Sequence, residues 1–169
     1  MPQLILDTVI EAPLPVVFDL ARSIDLHMYS TKKTREKAID GVTTGLIEAG
    51  QRVRWHARHL GITQTLTVQI TAMEKPHFFE DQMTQGVFHY MDHKHIFKQL
   101  ENGKVVMRDI FNFKAPLGVL GRFAEWLFLT RYMRCFLEER NQVIKEVAES
   151  GKYGSYINKS SFVGKRIKD

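Results

Sequence analysis

The chain has 169 residues, 44% of them hydrophobic, a single cysteine and a formal net charge of +5. That length suits one domain with a core of its own, and the apolar content excludes wholesale disorder. The basic residues are spread along the chain rather than massed, which speaks against nucleic acid as a partner, and lone Cys135 excludes an intrachain disulfide. Residues 3–12 alternate, with Leu4, Leu6, Thr8 and Ile10 on one face, and Pro13 closes this first strand. Pro15 suits the first turn of a short helix over 16–21, and Ser23 is placed to cap a second over 23–30. Residues 35–40 make a weak strand, followed by a loop punctuated by Gly41, Gly45 and Gly50.

From Gln51 the alternation is clear, with Val53, Trp55, Ala57 and His59 on the core face. If Leu60-Gly61 is a two-residue hairpin turn, His59 pairs with Ile62, Ala57 with Gln64, Trp55 with Leu66 and Val53 with Val68. The strand from Ile62 runs to Ala72, where Lys75-Pro76 breaks the pattern. Three further strands follow over 78–84, 88–100 and 104–115. Residues 117–150 then predict a long helix, apolar on nearly every side up to Leu137 and narrowing to a stripe through Val143, Ile144 and Val147. A helix apolar all round must be covered. Cys135 lies within it and is expected to be a small core residue.

Arg122, Glu125, Arg131 and Arg134 interrupt that apolar run, so a membrane span is disfavoured; no basic, cleavable leader precedes the first strand. A cytoplasmic protein is expected. The elements add up to an α+β fold: a seven-stranded antiparallel sheet curved around a long C-terminal helix, with two short helices after the first strand. Residues 1–150 are expected to form the single domain. Residues 151–169 form a basic, aromatic-bearing tail, either laid on the surface or touching a membrane or a protein partner.

One feature of the inner face is polar. The strand over 88–100 puts His89, Met91, His93, His95 and Phe97 on one side, and the next aligns Val105, Met107, Asp109, Phe111 and Phe113. A three-residue Glu101-Asn102-Gly103 loop sets His95 opposite Asp109 and His93 opposite Phe111. A two-residue Asn-Gly turn would move the histidines beside Ile110 and Asn112; the longer loop is preferred because it keeps one apolar face continuous. Asp81 lies on the neighbouring strand with Phe79 and Met83. This seam of Asp81, His93, His95 and Asp109 reads as an ion-paired structural network, as a patch that orients a ligand in an apolar cavity, or as a metal or acid–base site. No third or fourth histidine or cysteine ligand accompanies it, and no metal or cofactor is expected. Walker loops, GxGxxG turns, HExxH, nucleophile elbows and paired CxxC are all missing.

Three stretches carry a resemblance: Val9-Ile10-Glu11-Ala12-Pro13 with Val17-Phe18-Asp19; Gly86-Val87-Phe88 followed by His93-x-His95-x-Phe97; and Asp109 followed by Ala115-Pro116-Leu117-Gly118 and Gly121. Together with the element order they resemble the START-like helix-grip superfamily, which includes polyketide cyclase/dehydratase-like and birch-pollen-allergen-like proteins, and within it a bacterial cell-division-inhibitor-like branch. Met91 stands where that branch's pattern has tryptophan. The resemblance covers about residues 4–150. It implies the helix-grip fold and a small hydrophobic ligand, such as a lipid, quinone or polyketide, with no catalytic residue transferable one by one. The expected ligand wall is Trp55, His59, Phe79, Phe111, Phe113, Phe123 and Leu127, with Asp81, His93, His95 and Asp109 at its polar end. The alternatives are an enzyme using His95 as a base oriented by Asp109, and an adaptor acting through its tail.

Overall fold

A computed structural model describes residues 1–116 and 118–157. At the amino terminus β1 (Gln3–Ile10) buries Leu4, Leu6 and Ile10 and turns the residues between them outward, as alternation requires. Helix α1 (Leu14–Ala21) opens beside two prolines, and α2 (Ile24–Ser30) opens on Ser23, whose hydroxyl accepts from the Leu26 amide. A single 3-10 turn (Lys32–Thr34) leads into β2 (Lys37–Gly41), which pairs irregularly with the strand after it.

Strands β3 (Arg52–His59), β4 (Ile62–Glu74), β5 (Phe78–Gln85), β6 (Tyr90–Gln99) and β7 (Val105–Lys114) continue from β2 as an antiparallel meander. The sheet order is β1-β7-β6-β5-β4-β3-β2, so the first strand closes the far edge against the last. Turn chemistry sets the register. Leu60 and Gly61 both have positive φ, 51° and 80°, the geometry of a two-residue type I′ hairpin. Trp55 therefore faces Leu66, and His59 faces Ile62. At the other turn Gly103 is left-handed at φ 80° and the Leu100 amide donates to the Lys104 carbonyl at 2.8 Å. The longer loop is the one formed, and it sets Phe97, His95 and His93 opposite Met107, Asp109 and Phe111.

The terminal helix starts as α3 (Gly118–Ala124), widens through one π-type turn (Glu125–Leu129) and continues as α4 (Thr130–Glu149). Gly121 is needed near its start, because a Cβ there would collide with the Pro116 carbonyl. The expectation that the apolar first half is covered on all sides fails: Leu120 is 74% exposed and Phe123 58%. Burial begins further on, at Met133, Leu137, Arg140, Asn141, Ile144 and Ala148, a stripe of helical period where α4 packs on β1, α1 and α2. The reason is geometric. A sheet has one concave face to offer a helix, and under the first half that face is held back by a cavity. Cys135 is likewise exposed rather than buried, because two residues past Met133 carries a side chain to the far side of the helix.

The chain does not leave the body at Gly151. Tyr153, Tyr156 and Ile157 pack against the core through a short helix α5 (Gly154–Ile157), and Ser23 donates to the Tyr156 carbonyl at 2.9 Å. The rest of the tail, with its expected membrane or partner contact, lies outside the described residues. Among the described residues no helix is long and apolar enough to cross a membrane. The two halves of the terminal helix differ in what they contribute to stability. Ile144→Ala should lower the urea-unfolding free energy by about 2–5 kcal/mol, whereas Val119→Ser, on the exposed half, should change it by less than about 0.5 kcal/mol.

Candidate functional site

Between the concave face and the long helix lies a cavity of about 530 Å³, a size that small-molecule sites share. Its wall is mostly apolar: Trp55, Leu66, Ile70, Phe79 and Phe111 from the sheet, and Leu129, Met133, Phe136 and Leu137 from the helix. Of the residues expected from sequence, Trp55, His59, Phe79, Asp81, His93, His95 and Phe111 line it. The other four sit elsewhere. Asp109 is fully buried beneath the two histidines, and Phe113 packs behind the wall between Phe88 and Phe111, with ring centroids 5.6 and 5.5 Å away. Phe123 and Leu127 stand on the solvent side of the helix, 58% and 57% exposed, and Leu120, Phe128 and Tyr132 reach the cavity instead. The widened turn at Glu125–Leu129 shifts the helical phase, so extrapolation at 3.6 residues per turn selects the wrong face.

The seam is assembled from four elements. His93 Nε2 lies 2.9 Å from Asp109 Oδ1 and His95 Nε2 lies 3.3 Å from Asp81 Oδ1. His95 Nδ1 is also 2.7 Å from Asp109 Oδ1, but off the line of its N–H, so this is a charge contact rather than an aligned hydrogen bond. From α4, Asn141 donates to Asp109 Oδ2 at 2.6 Å, and Arg140 stands 3.8 Å from Asp109 while donating to the Ala21 carbonyl. Sequence reasoning missed both α4 residues, since a polar residue on a helix carries no mark of the partner it meets across the fold. Their signal was position: Arg140 and Asn141 fall one turn after Leu137 and one turn before Ile144.

Burial pushes His95 toward the neutral form, but Asp109 and Asp81 together outweigh it and hold its pKa above the ordinary value. Burial also lowers His93, and the charge of neighbouring His95, whose ring centroid is 3.9 Å away, lowers it further. The pair thus favours one proton, on His95. Burial opposes ionisation of Asp109 and Asp81, yet the histidines keep both below the usual carboxylate range, Asp109 well below it. Two carboxylates, one imidazolium and one guanidinium leave the seam close to electroneutral.

Asp81, His93 and His95 each offer a ligand atom within 4.8 Å of the others, a set that a borderline divalent ion would accept. A cation there would compete with a proton for His95, which the two carboxylates favour in its protonated form.

A second polar cluster was not anticipated. Glu36, buried just before β2, sits 2.5 Å from His27 Nε2 of α2 and 3.1 Å from His59 Nε2 at the end of β3. Burial would raise its pKa, but the two histidines bring it down to about 2. His59 Nδ1 is 2.8 Å from the Tyr132 hydroxyl, and the His27 ring stacks on Trp55 at 4.3 Å. His59 was expected as part of the apolar wall; it is instead the link between a buried carboxylate and the helix. Nothing local in the sequence marks Glu36, since its partners lie 9 and 23 residues away.

No family model matches this sequence, and no curated protein is recognisably similar to it. Solved structures are. TTHA0849 of Thermus thermophilus superposes with a TM-score of 0.72 at 15% identity, over 89% of this chain and 99% of that one. A START superfamily protein of Mycobacterium smegmatis gives 0.66 at 8% identity, over 88% and 97%. The major latex-like protein 151 of Panax ginseng gives 0.64 at 14%, over 87% and 97%. At such identities the likeness concerns architecture: the chain has the START-like helix-grip fold, with the seven-stranded antiparallel sheet and long C-terminal helix expected from sequence.

Two outcomes follow from the electrostatics. Asp109→Asn removes the counter-charge of a buried imidazolium, and the expected result is a stability loss of about 3–5 kcal/mol with the His95 titration midpoint, followed by NMR, moved down. Glu36 has a depressed folded-state pKa, so its contribution is present above 4.5 and lost as pH falls toward 2. It amounts to roughly 3 kcal/mol. Urea unfolding between pH 5 and pH 2 should therefore weaken the native chain more steeply than Glu36→Gln.

Proposed function

We propose that this protein is a non-catalytic carrier or sensor for a small hydrophobic molecule, of lipid, quinone or polyketide-like type, held between the sheet and the terminal helix. The observation that carries the reading is the cavity of about 530 Å³, apolar over most of its wall and bounded at one end by a charge-compensated polar seam. Apolar burial supplies affinity at about 25 cal/mol per Å² before ordering costs. Asp81, His93 and His95 orient one polar end of the ligand. The reading includes a cytoplasmic location, with which an exposed free cysteine is compatible.

An enzyme using His95 as general base is the less favoured alternative. Its Nε2 faces Asp81 and its Nδ1 faces Asp109, so no lone pair is left to take a proton from a substrate. Binding needs only that the groups be fixed, and they are.

The test is native mass spectrometry with organic extraction of the purified chain, combined with pyrene binding followed by fluorescence. An apolar molecule released at stoichiometric amount, or saturable pyrene binding, is expected. Ala57→Phe places a ring into the cavity from a buried wall position and should weaken pyrene binding at least tenfold with the circular dichroism unchanged. Equal binding by the variant, or a chain that neither carries nor binds an apolar molecule, overturns the proposal.

A further inference from the structure

The Glu36 cluster has a property that the seam lacks: it ends in a hydroxyl, that of Tyr132, which lines the cavity. Glu36 is ionised across the physiological range and can only accept: His27 donates Nε2–H to it, and His59 Nε2 stands 3.1 Å away in a charge contact that favours the tautomer with its hydrogen on Nε2. With Nε2 protonated, neutral His59 has a lone pair on Nδ1, directed at the Tyr132 hydroxyl 2.8 Å away. Tyr132 must then donate to His59, and only the lone pairs of its oxygen remain for the cavity it lines.

We propose that Tyr132, backed by His59 and Glu36, is a second polar subsite of the cavity, its phenolic oxygen accepting a hydrogen bond from a ligand hydroxyl. This rests on the reading of the cavity as a ligand site. The ligand class it implies is an apolar molecule with polar groups at two separated positions, one for the seam and one a hydroxyl for Tyr132. His27 of α2 meets the Glu36 carboxylate as His59 does, and burial, with the charges of Glu36 and Glu139, keeps the Tyr132 phenol un-ionised.

The experiment compares three probes of one shape on the full chain by fluorescence titration at pH 8: pyrene, 1-pyrenemethanol and 1-acetylpyrene. The alcohol is expected to bind about three- to tenfold more tightly than the ketone, one neutral hydrogen bond's worth. Tyr132→Phe removes one oxygen; it should keep pyrene affinity, which also certifies its fold, and abolish the preference for the alcohol over the ketone. An unchanged preference in Tyr132→Phe overturns the subsite and leaves the cavity reading intact. Failure of pyrene itself to bind overturns the cavity reading and the subsite with it.

Discussion

Asp109 has no solvent exposure, and a carboxylate removed from water loses several kcal/mol of hydration unless its neighbours replace it. His93 and His95 do so from β6, and Asn141 and Arg140 from α4. These contacts tie the middle of the sheet to the terminal helix and fix the helix's rotation about its axis, because Arg140 and Asn141 must both face inward. Once they do, Met133 and Leu137 face the sheet on the turns before, and Tyr132 is brought to His59. The geometry of the cavity is in this sense a consequence of one buried charge.

The same anchoring accounts for the exposed first half of the helix. α4 is held by the seam and by Ile144 and Ala148 against β1 and the small helices, and the chain before it spans the cavity as a beam spans a gap. Val119, Leu120, Phe123 and Leu127 then have cavity or solvent on the sides where an ordinary amphipathic helix has core. Gly121 lets the start of this beam approach Pro116 closely, so its position is set by backbone contact.

What the sequence disclosed was mostly local. Strand faces follow from alternation, and registers follow from Leu60-Gly61 and Glu101-Asn102-Gly103, because a tight turn admits few pairings. Asp109 opposite His95 was therefore legible. Partners distant in sequence were not: nothing near Glu36 announces His27 and His59, and nothing near Arg140 announces Asp109. Phe123 and Leu127 were assigned to the wall because the first half of the helix is apolar on nearly every side, a pattern that does not choose a face; the widened turn at Glu125–Leu129 and the packing of α4 choose it. Cys135 misled for a related reason, since membership of an apolar run says nothing about which side of the helix a residue occupies.

The cavity also carries an energetic argument of its own. Leu120 and Phe128 line it and are 74% and 45% exposed, so the space is open to solvent, and water enters it wherever no ligand does. Water against Trp55, Phe79, Phe111 and Phe136 finds few partners, because the polar groups are gathered at the seam and around Tyr132 and are mostly engaged with one another. An apolar ligand would replace that poorly bonded water along the wall and, on the proposed reading, meet polar groups at the seam and at Tyr132. Its affinity would then come from the same unfilled apolar surface that the fold forgoes in keeping the sheet apart from the first half of its helix.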